Sequence, residues 1–229
     1  MTLRTAGGLA ALTCAATYLV GFALLLTILA PLGFGSSEID AVAVVAFAAE
    51  NPGLLIAWNT TIYVVNALAL AVLVVALHAT AGRHPGGLAE VARLIGTVWV
   101  ALVLGAGMIA NVAVERAHAL AADPDVAAAL WQTLHAVELG LGGGNEIAGG
   151  AWILLASGAG RASRAMGRAT ALIGGVTGAA GLATILPPLG DVAGAVFGLG
   201  AILWFLAVAA TMLRPSATPV RADADPAES

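Results

Sequence analysis

The chain has 229 residues, 60% of them hydrophobic and only 10% charged, with a formal net charge of −4. A soluble domain has about a quarter of its residues charged, so this composition excludes a water-covered globule. No basic patch points to nucleic acid, and the single cysteine, Cys14, excludes an intramolecular disulfide.

Lipid is therefore the expected solvent, and in lipid only helices or closed barrels satisfy the backbone. Long Ala/Leu/Val/Gly runs without period-two alternation exclude the barrel. The fold class expected is all-α: a polytopic helical membrane protein. A spanning helix needs about 20 apolar residues, and six runs qualify, at roughly 7–30, 53–79, 94–119, 127–157, 168–187 and 191–213. The first is too long for the apolar region of a signal peptide, and Ala30-Pro31 is a poor cleavage site, so it is expected to stay as a span.

In the first loop, Ser37 and Asp40 have the spacing of an N-cap and its capping acid. The stretch EIDAVAVVAFAAE then predicts a short helix of 13 residues, too short to cross, lying at the outer interface or dipping into the bundle. Basic residues gather on cytoplasmic loops. With the N-terminus inside, Arg4, Arg83, Arg93, Arg161, Arg164, Arg168, Arg214 and Arg221 fall inside and only Arg116 outside. The sequence thus predicts six transmembrane helices, N-in and C-in, in the bacterial cytoplasmic (inner) membrane. The spans occupy residues 1–214, and the Pro/Ala/Asp-rich residues 215–229 form a disordered cytoplasmic tail.

Three consecutive spans carry narrow polar stripes. In the second, Asn59, Tyr63 and Asn66 are spaced by four and three; in the third, Asn111, Glu115 and His118 repeat that spacing. In the fourth, Trp131, His135, Glu138, Gly142, Asn145, Glu146 and Gly149 share one arc at 100° per residue. An acid facing lipid near the bilayer centre costs about 2.5–3.5 kcal/mol on insertion scales, so the stripes are expected to line one interior pocket, open or gated toward the outside. At 1.5 Å per residue, Glu115 and His118 lie near the outer surface and Glu146 at the pocket floor.

The expected acid–base set is Glu146, Glu138 and His135. The expected substrate contacts are Asn59, Tyr63, Asn66, Asn111, Glu115, Asn145 and Trp131. The structural alternatives are that the amides act as interhelical glue, that Glu115, Arg116 and His118 form a solvated surface cluster, and that Trp131 only packs. Glu115-x-x-His118 and His135-x-x-Glu138 are half of a di-iron bundle signature. The carboxylates that would complete it on two further helices are missing, and neither a metal nor another cofactor is expected.

The glycines of GLGGGNEIAGG allow two outcomes. Span 4 packs tightly on a neighbour through Gly140, Gly142, Gly144 and Gly150, which is the preferred expectation, or it unwinds locally as in discontinuous transporter helices.

The run GLGGGNEIAGGAWILL, followed by two Gly-rich spans and VFGLGAILWFLAVAATML, resembles a bacterial family of small six-helix integral membrane proteins catalogued as a domain of unknown function. The likeness lies over residues 134–213 and rests on Gly143, Gly144, Glu146, Trp152, Phe197 and Trp204. It implies six spans and no activity.

Three function classes follow. The first, and preferred, is an intramembrane acid–base enzyme or binding protein for a lipophilic small molecule. The second is a small proton-coupled transporter. The third is a non-catalytic membrane partner or assembly protein. The bilayer is the one partner that the composition requires.

Overall fold

The computed structural model describes residues 1–34, 39–81, 87–143 and 146–214. Ser37, Arg83, His84, Gly144, Asn145 and the tail from Pro215 lie outside the described residues. The described residues are helical, without a strand. In chain order the helices are α1 (Leu3–Leu24), α2 (Ala41–Glu50), α3 (Pro52–Asn59), α4 (Asn66–Ala81), α5 (Leu88–Ala119), α6 (Pro124–Glu138), α7 (Ile147–Ala162), α8 (Arg168–Ala183) and α9 (Gly190–Leu213).

Four continuous helical stretches are long and apolar enough to cross a membrane: Leu3–Leu32, Pro52–Ala81, Leu88–Ala119 and Pro187–Leu213. Their outward faces carry exposed Leu26, Leu68, Leu94, Met108, Leu199 and Leu203. Such a surface belongs in hydrocarbon, and the chain is a membrane protein.

α1 packs between α4 and α9, α8 between α7 and α9, and α5 against both α4 and α7, which closes a ring of helices. α6 attaches to α5, and α2 lies across α5 and α6. α7 and α8 approach most closely where glycine removes the side chain: a Cβ on Gly150 would sit 2.7 Å from the Gly178 carbonyl oxygen and 2.8 Å from Gly181.

Two packed clusters result. The larger centres on Trp99, Trp152, Phe197, Trp204 and Phe205, with the Trp204 Nε1–H donating to Ser157 Oγ at 2.9 Å. The smaller joins Val44, Val45, Leu55, Ala113, Val114 and Trp131 at the end of the bundle that carries α2.

Two elements differ from the sequence expectation. The short loop helix is 10 residues rather than 13, because Asp40 is itself the N-cap: its Oδ1 accepts from the backbone N–H of Val42 at 3.0 Å and of Ala43 at 3.1 Å. The fourth apolar run, expected as one continuous helix, is broken. After Glu138 the chain widens into a π-helical turn, Leu139–Gly143, and Gly142 takes φ 135°, ψ 10°. A new helix then starts at Ile147 with Glu146 as its N-cap. Tight glycine packing therefore falls at Gly149 and Gly150, while a Cβ on Gly140 or Gly142 would meet nothing within 4 Å. Unwinding, the less favoured expectation, is what occurs at Gly142.

Candidate functional site

Three π-helical turns, Leu25–Leu29 after α1, Thr60–Val65 between α3 and α4, and Leu139–Gly143 after α6, each place a residue on the wall of one cavity: Leu25, Tyr63 and Leu139. A π turn inserts an extra residue and rotates the following side chains, and such turns cluster at functional sites. In the middle turn Tyr63 is brought against α5. A Cβ on Gly107 would collide with Tyr63 Cβ, so only glycine at 107 lets the tyrosine come this close.

From there the Tyr63 hydroxyl donates to Glu138 Oε1 at 2.5 Å. The other carboxyl oxygen, Oε2, is 2.7 Å from His135 Nδ1. With the carboxylate ionised, both partners donate to it. Glu138 is buried at the last turn of α6, and His135 lies one turn before it. The imidazole stacks on Trp131 with centroids 4.6 Å apart and 19° between planes. Phe34 meets Trp58 edge-on at 5.4 Å and Trp131 at 6.2 Å.

These groups border a cavity of about 410 Å³. Its lining is largely apolar, with Tyr63, His135, Glu138, Asn59 and Asp191 as the polar members. Asn59 is 6% exposed and makes no side-chain hydrogen bond to another described residue. Trp58 lines the cavity as well, and its Nε1–H is buried without a partner among the described residues.

A second chamber of about 170 Å³ lies beside the first, sharing Leu25, Trp58, Ile62 and Tyr63 as a common wall. It is lined further by Tyr18, Asn66, Trp99 and Glu146. The Glu146 backbone N–H donates to Thr184 Oγ1 at 3.0 Å, and that hydroxyl donates to the Gly181 carbonyl at 2.6 Å. This holds the start of α7 against α8, while the Glu146 side chain does not cap its own helix.

The sequence-named residues thus divide. Tyr63, Trp131, His135, Glu138 and Asn59 line the larger cavity, whereas Glu146 and Asn66 line the smaller. The single arc drawn through His135, Glu138 and Glu146 assumed an unbroken helix, and the break at Gly142 places Glu146 in a different chamber. Asn66 ties α4 to α1, its Nδ2 donating to Thr17 Oγ1 at 2.7 Å. Asn111 Nδ2 donates to Thr60 Oγ1 at 3.0 Å, bracing the π turn, and Asn111 lines neither chamber. Glu115 is exposed on α5 and lines neither chamber. His118 Nδ1 lies 3.0 Å from the Ala49 carbonyl and holds α2 on α5. Asn145 is outside the described residues.

Sequence reasoning missed Phe34, Tyr18, Gly107 and the cavity role of Asp191. Phe34 and Tyr18 lie outside the polar stripes and Asp191 in the first turn of α9, so periodicity carried no signal for them, while Gly107 lies one turn before Asn111 on the third stripe but carries no polar side chain to mark it. Among the described residues no three His, Cys, Asp or Glu side chains converge as metal ligands would. Compared with family models, curated proteins and solved structures, the chain matches none.

Proposed function

We propose that this is a six-span protein of the bacterial inner membrane, N-in and C-in, whose larger cavity binds a lipophilic small molecule and performs acid–base work on it. The broken α6–α7 segment counts as one span and α8 as another. The asymmetry of the arginines supports the orientation.

One observation carries the functional reading: an acid, an imidazole and a phenol in one hydrogen-bonded relay on the wall of a cavity that is otherwise mostly apolar. Binding pockets are apolar concavities with a few convergent polar groups. A carboxyl held between a phenol and an imidazole is equipped to take a proton from a bound group or give one back. Asn59 supplies an orienting hydrogen bond.

The test is a thermal-shift titration of the detergent-solubilised full chain with benzyl alcohol, benzylamine and benzoate. A bound probe raises the melting temperature by mass action. Wild type gains stability from at least one probe, and Ala110→Leu, which fills the cavity from α5, gains none. If no probe shifts wild type, the reading fails.

A second reading, a proton-coupled transporter, is favoured by Tyr63, which lines both chambers and so lies between Glu138 and Glu146. The unwound segment beside it matches the discontinuous helices of transporters. It requires that Glu146→Gln abolish gradient-driven flux in vesicles while probe binding survives.

A further inference from the structure

The charges around the larger cavity are unbalanced. Glu138 and Asp191 line it, and among the described residues no arginine does. The sequence holds no lysine at all. On the same end of the bundle Arg116 is exposed on α5 and lines neither cavity. Three aromatic side chains, Phe34, Trp58 and Trp131, add ring faces and edges to the same walls. Ring faces are electronegative and attract cations, most strongly where water is excluded. A carboxylate ligand would find donors there, the Trp58 Nε1–H among them, but no arginine among the described lining residues to offset its charge beside Glu138 and Asp191, and no third ligating side chain stands by Glu138 and His135 among the described residues to hold a metal ion.

We infer that the ligand of this cavity is an organic ammonium: a substituted amine or quaternary ammonium on a lipophilic body, its charge set among Phe34, Trp58 and Trp131 and offset by Glu138 and Asp191. The inference rests on the binding reading above and names its ligand class. Asn59, 6% exposed on the cavity wall and without a side-chain hydrogen bond to another described residue, leaves its amide available to a ligand. Its carbonyl accepts from the N–H of a protonated amine, and toward a quaternary ammonium, which has no N–H, it offers only its dipole. The ammonium comes either from a free amine or from a lipid headgroup, and both share this chemistry.

The experiment uses the full chain in maltoside detergent, with benzyltrimethylammonium against its neutral isostere neopentylbenzene, binding being read by calorimetry. The cation binds about tenfold more tightly than the isostere or better. Glu138→Gln weakens the cation about tenfold and leaves the isostere unchanged. Asp191→Asn, at an exposed position that does not endanger folding, weakens the cation in the same direction. Competition by lysophosphatidylcholine, but not lysophosphatidylglycerol, assigns the ammonium to a lipid headgroup. Absence of competition assigns it to a free amine, and either result supports the inference. Equal affinity for cation and isostere, or a cation indifferent to both substitutions, overturns the ammonium inference while leaving the binding reading intact. No binding of either probe overturns both.

Discussion

Tyr63 and Glu138, 75 positions apart, are joined by a 2.5 Å hydrogen bond from phenol to carboxyl that ties the π turn before α4 to the end of α6. A hydrogen bond to a charged group contributes about 1.5–3 kcal/mol. Tyr63→Phe keeps the ring and removes only this bond, so it should lower stability in detergent by about that amount. The double variant with Glu138→Gln should cost less than the sum of the two single changes, as expected for partners in contact. Additive losses in chemical unfolding would mean that the two side chains do not meet.

Glycine substitutions separate close packing from backbone need. Gly107→Ala drives a methyl into Tyr63, and Gly150→Ala drives one into the α8 backbone. Each should cost about 1–3 kcal/mol, the range for overpacking. Gly142→Ala meets no neighbour but sits at φ 135°, which L residues rarely adopt, so it should also destabilise. Gly140→Ala meets neither obstacle and should be neutral or gain up to about 1 kcal/mol from helix propensity. Melting temperatures of the four variants give the ranking, and a destabilised Gly140→Ala would contradict the open space around it.

The apolar runs and polar stripes made the helical, membrane character and the pairing of His135 with Glu138 legible, because both follow from local spacing. Tyr63 was named from its stripe, but its bond to Glu138 depends on Gly107, a tertiary close approach that no periodicity announces. Glu146 was assigned the floor of the same pocket because a helix of constant pitch was extrapolated through Gly142. A single left-handed residue shifts every later side chain to a new face. Glu115 kept the right spacing in its stripe yet lies at the end of α5, where the bundle no longer covers it. Phe34 lies outside any stripe, just past the 3-10 turn that follows α1, so no spacing announced its place on the cavity wall.

Asn66 separates structural from ligand-facing amides. Its side chain donates to Thr17 on α1 and lines only the smaller chamber. Asn66→Ala should therefore cost about 0.5–1.5 kcal/mol of stability, the ordinary net value of one hydrogen bond, and leave the probe-induced thermal shift unchanged. Asn59→Ala should do the reverse, reducing the shift while barely altering the melting temperature of the free protein, because its amide has no partner to lose among the described residues. A common response of both variants would remove the distinction between the two chambers.

The proposed orientation sets which solution reaches the larger cavity, since Asp191 and α2 lie at the end of the bundle where α5 ends and α6 begins. Cys14, the only cysteine, is buried, so the native chain supplies little background for thiol labelling. Ala122→Cys lies in the exposed turn between α5 and α6, and Ala162→Cys at the exposed end of α7. With the N-terminus inside, a membrane-impermeant maleimide applied to intact bacterial cells should label Ala122→Cys and spare Ala162→Cys until the membrane is opened. The reverse pattern would turn the cavity toward the cytoplasm and set the eight inward arginines against the rule that motivates the proposal. Labelling of both sites in intact cells would mean an even number of crossings between them, and would overturn the proposal that α6–α7 is a single broken span.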